Sequence, residues 1–69
     1  MERSARYRLT VRGLVTERLA SAFDGMTVEQ GTDTTAFVGT IRDQAQLYGL
    51  IERIRDFGLE LVGVEELSA

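Results

Sequence analysis

Asp43-Gln44-Ala45-Gln46-Leu47-Tyr48-Gly49-Leu50-Ile51-Glu52-Arg53-Ile54-Arg55-Asp56-Phe57-Gly58-Leu59-Glu60-Leu61-Val62-Gly63-Val64-Glu65-Glu66 reads as one complete helix followed directly by one strand. Asp43 is a good N-cap, since its side-chain oxygen can accept from an N–H group that the first helical turn leaves without a partner. Apolar residues recur at Leu47, Leu50, Ile51, Ile54 and Phe57, and Gly58 sits where a left-handed C-terminal turn stops a helix. Leu59, Leu61, Val62 and Val64 then form an apolar run too short and too β-branched to need a second helix.

Upstream, Arg6 to Arg12 alternates strictly, with Tyr7, Leu9 and Val11 on one face and Arg6, Arg8, Thr10 and Arg12 on the other. That is the period of a half-buried strand. After Gly13, the segment Leu14 to Phe23 places Val15, Leu19, Ala22 and Phe23 at helical spacing with Thr16 as its cap, and Asp24-Gly25 ends it. Met26, Val28 and Gln30 alternate with Thr27 and Glu29, Gly31-Thr32-Asp33-Thr34 supplies turn chemistry, and Thr35 to Ile41 alternates again. Strand four is expected over Leu59 to Leu67.

The order βαββαβ, with right-handed crossovers, places strands one and three in the centre of an antiparallel sheet with both helices on one face. The expectation is an α+β, ferredoxin-like fold in a single domain over residues 1–69. Its core should join Tyr7, Leu9, Val11, Met26, Val28, Phe37, Ile41, Val62 and Val64 of the sheet to Val15, Leu19, Phe23, Leu47, Leu50, Ile51, Ile54 and Phe57 of the helices.

Composition narrows the chemistry. A domain of 69 residues is marginal, and small scaffolds add disulfides, a metal or a partner; without Cys or His, association is the favoured means of support. A homodimer or another protein partner is therefore expected. All eight basic residues are Arg, so there is no imidazole for proton transfer, no thiolate and no amine for a Schiff base. No enzymatic activity, cofactor or metal is expected. The net charge of −3 and pI near 4.8 have the wrong sign for binding that rests on neutralising phosphates, which argues against nucleic acid. Met1 to Arg6 leads into strand one without an apolar run, so neither a signal peptide nor a membrane span is expected, and the compartment expected is the cytoplasm.

Three features are candidates for function. On the open sheet face lie Arg8, Thr10, Arg12, Ala36, Val38 and Thr40; small and apolar residues at its centre suit docking, whereas pairing of the Arg groups with Glu29 and Glu65 would merely solvate it. Strands one and three lack the stacking aromatics of RNA-binding sheets. Ala45 and Gly49, on the side of helix two away from its apolar stripe, let a second backbone approach, and a helix-interior Gly costs about 1 kcal/mol relative to Ala. The third candidate is the turn at Gly13 and Leu14, whose backbone N–H groups suit a carboxylate or other anion at a helix N-terminus.

The stretches Asp43 to Ile51 and Arg53 to Leu61 resemble a group of very short actinobacterial and other bacterial proteins with the pattern D-Q-A-x-L-h-G-h-h-x-x-h-R-D-h-G-h-x-L. The likeness extends to Gly25-Met26-Thr27-Val28 and to the Thr-rich hairpin strand, and it implies a ferredoxin-like fold without catalytic residues to carry over. A more distant likeness is to ACT-type regulatory domains, which bind amino acids near the turn after strand one. It implies small-molecule sensing at Gly13 and Leu14, although the Asp and Pro of that family's turn are not met here.

Overall fold

The computed structural model of the chain describes residues 4–23 and 25–68. Strand β1 (Ala5–Arg12), helix α1 (Glu17–Ala20), strands β2 (Thr27–Gln30) and β3 (Thr34–Ile41), helix α2 (Gln44–Asp56) and strand β4 (Leu61–Ser68) follow in the expected order. They form a four-stranded sheet, β2-β3-β1-β4, in which each neighbouring pair is antiparallel. Strands β1 and β3 are central, and the α+β ferredoxin-like fold is present.

Alternation along β1 sends Leu9 and Val11 to the helix side, where Leu9 lies opposite Phe37 and Val11 opposite Thr35. Leu9, Val11, Val15, Phe23, Phe37, Ile41 and Ile54 make the core, with Leu47, Leu50 and Ile51 of α2 packed on it. Phe23 stacks on Phe37 at 4.3 Å between ring centroids and meets Phe57 edge-on at 6.1 Å.

Helix α2 starts and stops as its residues dictate. Asp43 Oδ1 accepts from the Gln46 N–H at 2.8 Å, and Gln46 Oε1 in return accepts from the Arg42 N–H at 2.7 Å. At the other end Gly58, with φ of +76°, donates to Arg55 O, and Leu59 donates to Ile54 O at 3.1 Å. These are the two reciprocal bonds of a Schellman turn, which needs a residue without a Cβ penalty at positive φ.

Helix α1 is a correction. Thr16 caps it as expected, its Oγ1 accepting from the Leu19 N–H at 3.3 Å, but the helix is a single turn rather than a run from Leu14 to Phe23. Upstream, the Thr35 hydroxyl donates to Gly13 O at 2.8 Å and accepts from the Val15 N–H at 3.2 Å, which commits that backbone to β3. Downstream, Ala22 and Phe23 donate to carbonyls only three residues back, so the chain tightens and turns Phe23 into the core. Of the expected stop at Asp24-Gly25, Asp24 lies outside the described residues.

The second correction concerns β4 and the end of α2. The strand begins at Leu61 rather than Leu59, and Val62, Val64 and Phe57 are exposed instead of buried. Gly63 pairs with Thr10 and Leu61 with Val11, so Val62 is an extra residue with no partner on β1. This bulge breaks the alternation, and Leu59 and Leu61 pack against the core instead. Val64 keeps its place opposite Leu9, but at a sheet edge it has a neighbouring strand on one side only.

Candidate functional site

The open sheet face carries its own cover. Arg8 Nη1 meets Glu65 Oε1 of β4 at 3.0 Å, while Arg8 Nε lies 3.8 Å from Glu29 Oε1 of β2. Arg8 thus stands between carboxylates from both edge strands, and Val38, flanked in register by Arg8 and Thr27, is 4% exposed. Ala36, flanked by Thr10 and Glu29, is 9% exposed. Arg12 pairs with Glu60 at 3.2 Å, Thr10 is half-buried and Thr40 is exposed. The expectation of a small and apolar docking centre at Ala36 and Val38 is thus corrected. Their side chains are withdrawn from solvent, and the surface presented is an ion-paired one whose pairs contribute about 0–1 kcal/mol each.

The turn after β1 is also occupied. The Gly13 N–H donates to Asp33 O at 2.6 Å, and Gly13 O accepts from Thr35. The helix does not begin there but at Glu17. The Gly13 N–H is therefore committed to β2–β3 turn backbone, while Leu14, the other residue of the expected ligand site, is 60% exposed.

Ala45 and Gly49 are both exposed on α2, and a Cβ placed on Gly49 meets nothing within 4 Å. Gly49 lines a groove of about 300 Å³ together with Gln46, Leu50 and Arg53. Arg53 Nη1 donates to Ala22 O at 2.7 Å, so this flank of α2 faces the shortened α1 region. At 100° per residue, Tyr48 and Arg55 project from the opposite flank, away from the α1 region.

Strand β4 holds what the alternation pattern missed. Tyr48 is 58% exposed, Val62 49% and Val64 41%, and β4 is paired with β1 alone among the described strands. An isolated Gly63 inside a strand was the available signal, since such a glycine often marks a bulge. Thr35 had a signal too, as a hydroxyl on the strand face otherwise occupied by Phe37 and Ile41. Among the described residues no three Asp or Glu side chains gather as a metal would need, and no helix is long and apolar enough to cross a membrane.

Fold and surfaces together define a small ferredoxin-like α+β domain whose candidate sites are exposed faces and an edge. The chain belongs to the family described as a domain of unknown function (DUF8691), whose model matches residues 6–65. No curated protein and no solved structure matches the chain. The likenesses to actinobacterial short proteins and to ACT-type domains gain no support from these comparisons.

Proposed function

We propose that this domain is a non-catalytic interaction module that acts in the cytoplasm and associates with a second copy of itself through the β4 side of the sheet. The reading rests on one observation above all: Val62 and Val64, valines of a strand, remain 49% and 41% exposed where a self-sufficient domain would bury them. Tyr48 on α2 is exposed as well. Composition supports the non-catalytic part, because His, Cys and Lys are absent.

Sedimentation velocity of the purified chain across a micromolar concentration series is the direct test. A concentration-dependent shift from monomer to dimer is expected. A single monomeric species at every concentration, with Val64→Lys sedimenting identically, ends this reading.

A further inference from the structure

We infer that two copies pair β4 against β4, antiparallel, about a two-fold axis at Val64, joining their sheets into one with every helix on the same face. This rests on the self-association reading and gives it a geometry.

The Arg12 N–H donates to Glu60 O at 2.9 Å, so Arg12, and by the period of two also Thr10 and Arg8, turn their backbone groups toward β4. Their register partners Gly63 and Glu65 accordingly use their own groups on β1, which leaves the N–H and C=O of Val64 and Glu66 turned outward. Such an unpaired row is a template for another strand. Register shifts beside Tyr7 and Val11 blunt the two ends of the edge and leave its middle, from Gly63 to Glu66, regular. That middle contains no Pro or Lys to oppose pairing.

Charge then selects the register. About Val64, each Val64 faces its copy, Val62 faces Glu66 and Gly63 faces Glu65, with no like charges opposed. An axis at Glu65 sets Glu65 against Glu65, and one at Gly63 sets Glu66 against Glu60. Like charges directly opposite are destabilising. An axis between residues sets outward-turned groups against inward-turned ones and makes no ladder. In the favoured register Glu66, on the helix face opposite Tyr7, comes level with the C-terminal part of the other copy's α2, where Arg55 is exposed. Opposite charges then lie on the two sides of the axis.

The absence of native Cys makes the test clean. Residues in a hydrogen-bonded antiparallel pair lie at about 5.5 Å between Cα atoms, within disulfide reach. Val64→Cys should give a covalent dimer under mild oxidation, Val62→Cys alone should not, and a mixture of Val62→Cys with Glu66→Cys should give the mixed dimer. Val64→Pro removes only an outward N–H, which an edge strand tolerates. It should retain the monomer's circular dichroism and weaken association by about tenfold or more, as the loss of two ladder bonds implies. Val64→Lys should do the same if the Pro variant does not fold. A wild-type dimer without the Val64 crosslink overturns the register but leaves self-association standing, whereas a monomeric wild type overturns both. Assemblies that grow with concentration overturn the closed pair in favour of β4 joining another copy's β2.

Discussion

Thr35 is fully buried, yet its hydroxyl is satisfied on both sides, donating to Gly13 O and accepting from the Val15 N–H. Thr35→Val keeps the shape and leaves those two backbone groups without a partner, which should cost about 1–3 kcal/mol. Urea unfolding followed by circular dichroism should show a lowered midpoint at unchanged slope, with Thr35→Ser recovering most of the loss. Two glycines give opposite expectations. A Cβ on Gly39 would lie 2.9 Å from Gly25 O and 2.6 Å from Met26 Sδ, because the chain leaving α1 crosses β3 there. Gly39→Ala should therefore destabilise by about 1–3 kcal/mol. Gly49, with open space where its side chain would be, should gain up to about 1 kcal/mol on Gly49→Ala. Calorimetric melting temperatures of the two variants, moving in opposite directions, check both, and a fall for Gly49→Ala would point to a contact made at that glycine in an assembly. Gly49 was conspicuous in the sequence because helix propensity is a local rule. Gly39 and Thr35 were not, because the groups that constrain them arrive from elsewhere in the chain.

Helix α2 was legible nearly to the residue because its signals are local: an Asp cap, a 3.6-residue stripe and a glycine stop act within the segment that carries them. Its cap gives a direct prediction. Asp43→Ala should cost about 0.5–2 kcal/mol, while Asp43→Asn, which keeps an accepting oxygen, should cost little. Chemical denaturation of the pair separates the cap bond from the carboxylate charge, and equal losses in both variants would assign the effect to charge. Helix α1 was over-read because its apolar spacing was real but its ends were not its own. Thr35 and Gln30 hold the preceding backbone, Gln30 Nε2 donating to Val15 O at 3.3 Å. The β4 register was over-read for a related reason, since a single extra residue at Val62 shifts which side chains face the core. Alternation counts residues and does not see a bulge.

At the scale of the whole molecule, the central question is how a chain of 69 residues with so small a set of buried side chains stays folded. The exposed sheet face offers little, since its visible bonds are surface ion pairs from Arg8 and Arg12. The sequence already implied a need for association but not its location. Placing that location on the sheet face assumed an accessible apolar centre at Ala36 and Val38, whose side chains are withdrawn from solvent. If β4 pairing supplies the missing support, folding and association are linked, and the melting temperature must rise with protein concentration. For a domain of this size each kcal/mol corresponds to about 4–8 °C, so a hundredfold concentration series should move the transition measurably. Val64→Lys takes away the pairing valine, so its transition should not move with concentration, whatever its level. A wild-type transition as flat as that of Val64→Lys would mean that the core suffices alone, and the exposed valines of β4 would then need a partner other than a second copy.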